Sequence, residues 1–111
     1  CHATSRALAA ALGLAQGSFS TSFQSRLGRT PWITPHTDVV LPELARAGAK
    51  RLAVLCPSFV ADCLETVEEI GIRGAEQWRS VGGEALELVP CVNAHPSFVR
   101  FIASQVRGLA R

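Results

Sequence analysis

The run Arg51-Leu-Ala-Val-Leu-Cys56 constrains the fold of this chain more than any other segment. Its continuous apolar centre is what a strand buried on both faces requires, and such strands belong to parallel sheets covered by helices. The flanking residues fit that setting. Thr37 and Asp38 can cap a helix that reaches about Ala47 and ends at Gly48, with Pro42 in its first turn. After the run, Pro57 and Ser58 turn the chain, and a helix follows from about Phe59 or Val60 to Glu69. Gly71 and Gly74 kink it before a further helical stretch at Ala75–Ser80, which Gly82-Gly83 stops. Residues 85–90 read as another strand. His95-Pro96-Ser97 opens a last helix, with His95 as a turn or cap residue and Phe98, Phe101, Ile102, Val106 and Leu109 on the apolar side.

Upstream, residues 3–12 form an amphipathic helix stopped by Gly13. Residues 17–25 read as a strand, because Phe19, Thr21 and Phe23 share one parity. The Pro-rich stretch from Arg26 to His36 is a loop holding Trp32, a place where function often sits. The order α-β-α-β-α-β-α predicts an α/β fold with a parallel sheet. Three strands make a small sheet, which one more strand upstream would complete.

Composition narrows the class. The 111 residues suit one domain, and 48% apolar against 18% charged residues excludes disorder. No run approaches the roughly 18–20 apolar residues of a membrane-spanning helix. A net charge of +2 is too balanced to argue for nucleic acid. Methionine is absent and the chain opens on Cys1, so a processed chain or a piece of a longer one is expected. Cys1, Cys56, Cys63 and Cys91 lack the C-x-x-C spacing of zinc and redox motifs, and read as free thiols in a reducing compartment.

No G-x-G-x-x-G, Walker or G-x-S-x-G motif is present, which removes dinucleotide, nucleoside triphosphate and hydrolase readings. One constellation is left. At about 100° per residue, Asp62, Glu65 and Glu69 fall in a stripe about 60° wide, opposite Val60, Cys63, Leu64, Val67 and Ile70. On periodicity alone that stripe is the solvated back of an amphipathic helix. Its functional reading is a line of hard oxygen ligands for a divalent ion, or a path for protons. The helix starts just after a strand's carboxyl end, where open α/β sheets place ligands.

Three segments carry a family resemblance. Phe23-Gln-Ser-Arg-Leu-Gly-Arg-Thr-Pro-Trp-Ile-Thr-Pro-His-Thr-Asp38 resembles a ferrochelatase signature. Cys56-Pro-Ser-Phe-Val-Ala-Asp-Cys-Leu-Glu-Thr-Val-Glu-Glu-Ile70 is similar to the second signature in its bacterial form, and Val92-Asn-Ala-His-Pro96 to a weaker third. The resemblance implies the C-terminal portion of a ferrochelatase, with a Rossmann-like, chelatase-type parallel sheet flanked by helices. Residues 1–111 would then be most of one of two similar halves, without one upstream strand and the N-terminal half.

The implied activity is insertion of ferrous iron into a porphyrin, protoporphyrin IX or coproporphyrin, in haem synthesis. Glu65 matches the family's acidic active-site residue. Asp62 and Glu69 match its neighbours on a helix wound partly as a π-helix, where about 4.4 residues per turn would stack positions 65 and 69 closely. Trp32 and Phe59 match residues lining the porphyrin pocket, with Gln24 and Ser25 near it. Cys63 stands where animal members carry His. The catalytic His of the family has no counterpart here, so this chain alone is expected to be inactive. No resident cofactor is implied, ferrous iron being a substrate, and an iron–sulfur cluster is not supported. The implied partners are porphyrin, iron and the N-terminal half of the same enzyme, in the cytoplasm, with peripheral membrane docking and oligomeric state left open. The competing readings are a related tetrapyrrole chelatase, a non-catalytic porphyrin or haem carrier on the same fold, and a metal-binding module using the thiols.

Overall fold

The computed structural model describes residues 1–25 and 28–110. The first two residues of the expected loop, Arg26 and Leu27, lie outside the described residues. In chain order the elements are α1 (His2–Ala11), α2 (Thr37–Arg46), β1 (Arg51–Val54), a π-helix (Glu65–Gly74), α3 (Ala75–Ser80), β2 (Ala85–Leu88) and α4 (Pro96–Leu109). β1 and β2 pair in parallel, from Arg51 opposite Ala85 to Val54 opposite Leu88. The π-helix and α3 form the crossover between them. This is the α/β class expected, with a parallel sheet flanked by helices.

Glycines end the helices where the sequence places them. At Gly48 the backbone turns left-handed (φ 95°), and the Ala49 amide reaches back to the Leu44 carbonyl at 3.0 Å. Gly82 (φ 94°) does the same after α3, with the Gly83 amide on the Trp78 carbonyl at 2.9 Å. Only a residue without a Cβ adopts that φ freely. His95 caps α4, its Nδ1 accepting from the Ser97 amide at 3.3 Å. Pro42 sits mid-helix in α2 rather than in its first turn. It has no amide to offer the Asp38 carbonyl one turn back. The Gln77 side-chain amide donates to that carbonyl instead, at 2.7 Å, and so ties α2 to α3.

The core lies where the crossover meets α2 and the sheet. Trp78 and Thr66 are fully buried, with Val40, Leu41, Ile70 and Ala75 buried as well. The Trp78 indole N–H donates to the Lys50 carbonyl at 3.2 Å, just before β1. Gly83 lies against the indole so closely that a Cβ there would collide with the ring.

Three expectations are corrected. Residues 17–25 are not a strand: among the described residues they make one isolated parallel bridge, Phe23 with His36, through Phe23 N to Pro35 O (2.9 Å) and Thr37 N to Phe23 O (3.1 Å). A strand needs a ladder partner, and a groove of about 760 Å³ separates this segment from β1, lined by Leu8, Leu12, Phe19, Thr21, Leu52 and Val54. β1 is not buried on both faces but alternates exposed and half-buried residues, because nothing among the described residues covers its second side. The helix expected from Phe59 or Val60 starts later, at Glu65, because Val60 and Asp62 are held in bonds to another loop.

The outer helices are thinly packed. No residue of α4 is buried, and Leu109 is 89% exposed. The radius of gyration is 16.1 Å, against about 13 Å for a compact chain of this length. No helix among the described residues is long and apolar enough to cross a membrane.

Candidate functional site

The π-helix organises the site. Its wider winding brings residues four apart almost into line, and the buried residues follow that spacing: Thr66, Ile70, Gly74. Gly71 allows the helix to lie on β2, since a Cβ there would stand 3.1 Å from Leu88 Cδ2. The face expected to be apolar core is instead open: Leu64 is 76% and Val67 47% exposed. The α-helical periodicity was right for Ile70, which is buried, and wrong for Leu64 and Val67, because the helix is not α.

Glu69 is half-buried and points at the segment before the Pro-rich loop. Its Oε2 accepts from Gln24 Nε2 at 2.9 Å and from the Ser25 hydroxyl at 2.8 Å. Ser25 is one of two non-glycine residues with positive φ among those described, at 60°. Strained backbone of this kind persists where the surroundings hold it, and here it aims a hydroxyl at a carboxylate. Trp32 joins the same group, its indole N–H donating to the Gln24 carbonyl at 3.1 Å. A cavity of about 480 Å³ opens beside them, lined by Gln24, Ser25, His36, Asp38, Glu69 and Arg73 among others. His36 Nδ1 is buried there without a hydrogen-bond partner.

Glu65 stands one turn earlier, at the start of the π-helix. A hydrogen bond from the Cys63 thiol, and a second from its own backbone N–H, hold its carboxyl below the usual range. Cys63 is fixed in turn by Thr66, whose Oγ1 accepts from the Cys63 amide at 3.0 Å. A carboxylate kept ionised in this way attracts a divalent cation and offers acceptor oxygens to it.

Asp62 faces elsewhere. Its carboxylate accepts from the Asn93 side-chain amide at 2.8 Å and the Cys91 backbone N–H at 3.0 Å. These bonds, Asn93 first, hold its carboxyl below the usual range. Burial pushes the Cys91 thiol up to about 11, with a further contribution from Asp62. Burial also raises Cys56, helped by nearby Cys63 and Asp62. All four cysteines are free. Phe59 follows the turn after β1, its amide on the Cys56 carbonyl at 3.0 Å and its ring partly exposed.

The expected residues thus fall into two groups on one helix. Gln24, Ser25, Trp32 and Glu69 gather at its middle, while Cys63 and Glu65 sit at its start with Asp62 turned toward the β2 loop. Among the described residues, no three His, Cys, Asp or Glu side chains are placed to hold a metal ion together. Sequence reasoning gave no role to Thr66, His36 or Asn93. The third motif, Val92-Asn-Ala-His-Pro96, was the one signal pointing at Asn93.

Comparison with known proteins gives the family. The family model described as Ferrochelatase matches residues 1–109. A ferrochelatase of Pseudomonas putida is 57% identical over 103 residues, 93% of this chain and 30% of the relative. One of Pseudomonas paraeruginosa is 57% identical over 111 residues, 100% of this chain and 33% of the relative. The chain therefore spans about a third of the length of the curated relatives it matches. No solved structure matches it. With Gln24 and Ser25 both bonded to Glu69 and a family match over residues 1–109, the chain belongs to the ferrochelatase family.

Proposed function

We propose that this chain supplies the acidic helix and one wall of the porphyrin pocket in an enzyme that inserts ferrous iron into a porphyrin for haem synthesis. The observation that carries the reading is the grip of Gln24 and Ser25 on Glu69, on a π-helix that also bears Glu65. Both carboxylates belong to a family whose curated members are named ferrochelatases.

Insertion must strip water from the ion, remove two pyrrole protons and bend a flat macrocycle. Glu65 is the residue we assign to the reacting centre: its ionised carboxylate draws the cation and receives a proton displaced from the ring. Glu69 lies one π-turn away, lines the cavity and carries metal or protons onward, with Gln24 and Ser25 holding its Oε2. Carboxylates hold a hard divalent ion yet release it more readily than thiolates would. Trp32, Phe59 and Cys63 line the pocket, the aromatic side chains supplying apolar contact to the ring. Ferrous iron is a substrate in this account, and no resident cofactor is required.

The remaining length of such an enzyme is the partner this surface suits. The groove between α1, residues 17–22 and β1 exposes apolar side chains and a strand edge that no described residue pairs, and α4 exposes Phe101, Ile102 and Val106. Four free thiols suit a cytoplasmic protein. The test is turnover by the full-length product of the gene. Zinc and a free-base porphyrin are mixed with it and porphyrin emission is followed. Many turnovers per protein support the enzyme; stoichiometric binding without insertion favours a porphyrin carrier.

A further inference from the structure

Asp62 and Asn93 are 31 residues apart and bond to each other at two points. Asn93 Nδ2 donates to Asp62 Oδ2 at 2.8 Å, and the Asp62 amide donates to Asn93 Oδ1 at 3.0 Å. Backbone bonds reinforce the link. The Asn93 amide donates to the Val60 carbonyl at 2.8 Å, and the Cys91 amide to Asp62 Oδ1 at 3.0 Å. Thr66 Oγ1 lies 3.4 Å from the same oxygen. Asn93 adopts a left-handed φ of 46°, which Asn tolerates better than most residues, and its side-chain Nδ2 also donates to the Cys91 carbonyl at 2.9 Å. The two loops joined in this way follow the carboxyl ends of adjacent parallel strands. One of them carries Phe59 and leads directly into Glu65.

We propose that Asp62 and Asn93 are a positioning pair that sets the Phe59 wall and the start of the π-helix, and that Asp62 itself carries neither metal nor protons. The proposal rests on the ferrochelatase reading. Both oxygens of the carboxylate accept from donors of the loop after β2, Oδ2 from the Asn93 side chain and Oδ1 from the Cys91 amide, so its charge is used to hold two loops together. Loss of the pair releases the pocket wall, and porphyrin affinity falls before metal handling does.

The test is a swap in the full-length protein. Asp62→Asn sets two side-chain amides against each other, and Asn93→Asp sets two carboxylates against each other. The double swap, Asp62→Asn with Asn93→Asp, restores one donor facing one acceptor with the charge moved to position 93. Porphyrin affinity is read by emission, and KM for zinc and for porphyrin by insertion. Each single variant is expected to weaken porphyrin binding about tenfold and leave KM for zinc within about twofold, and the double swap to recover most of the loss. A double swap that binds porphyrin normally but no longer inserts metal would put metal or proton transfer on the Asp62 charge and overturn the proposal. If neither swap variant folds, Asn93→Ala decides, since it leaves Asp62 intact: wild-type porphyrin affinity there also overturns it. A wild type that binds porphyrin without turnover defeats the enzyme reading instead, while the emission measurements still report whether the pair shapes the pocket.

Discussion

The Ser25 hydroxyl donates to Glu69 Oε2 at 2.8 Å across 44 residues of sequence, from a backbone held at a left-handed φ of 60°. The strained residue and the half-buried carboxylate explain each other. Ser25→Gly removes the hydroxyl and relaxes the backbone, so the fold is retained. Metal insertion by the full-length enzyme is then expected to fall about tenfold in kcat/KM for the metal, the worth of one hydrogen bond to a charged group. Steady-state zinc insertion measures it, with thermal unfolding as the control.

The packing of Trp78 on Gly83 makes a sharper stability prediction. Gly83→Ala drives a methyl group into a fully buried indole. We expect a loss of about 1–3 kcal/mol, typical of overpacking, and about 3–5 kcal/mol for Trp78→Ala, which leaves a cavity. Urea unfolding of the full-length protein distinguishes the two.

Gln77 and Pro42 are coupled although they do not bond to each other. Gln77→Leu leaves the Asp38 carbonyl without the donor that replaces the missing proline amide, at a cost of about 1 kcal/mol. Pro42→Ala supplies an amide to the same carbonyl. The double variant should therefore be more stable than Gln77→Leu alone, a non-additivity that a double-mutant cycle reads directly.

The Cys91 thiol, pushed up to about 11 chiefly by burial, is expected to resist alkylation at pH 8 while exposed Cys1 reacts. The same shift makes stability fall with pH in a defined window. The unfolded chain ionises this thiol near its ordinary value of 9.0 and the folded chain near 11. The unfolded state thus loses its proton first, and the contribution present below about pH 9 disappears as pH rises to about 11. Mass spectrometry of iodoacetamide-treated protein and unfolding curves across pH 8–11 check both statements.

Local chemistry was legible in the sequence and distant chemistry was not. Gly48 and Gly82 ended helices as read, because the demand for a left-handed φ is a property of one residue. His95 capped α4 for a similarly local reason. The strand at β1 was read correctly but not its one-sided cover, which depends on what packs against it. Phe19, Thr21 and Phe23 kept strand parity without becoming a strand, since parity cannot supply a ladder partner. The helix from Phe59 was read too early because Asp62 bonds to Asn93, 31 residues away. Within the site, Gln24, Ser25, Trp32 and Glu69 were named from the family motifs, and the structure brings them into contact. Periodicity put Ile70 inward correctly but Leu64 and Val67 wrongly and missed Thr66, because an α-helical period cannot describe a π-helix.

The central claim, that the acidic π-helix performs the chemistry, is tested most directly by Glu65→Gln in the full-length protein. Porphyrin affinity is read by emission, and turnover by zinc insertion over time. The account predicts affinity close to wild type with turnover reduced by at least about a hundredfold, the scale of a lost general base. Turnover that survives the substitution would contradict it and return Glu65 and Glu69 to the status of a solvated helix face.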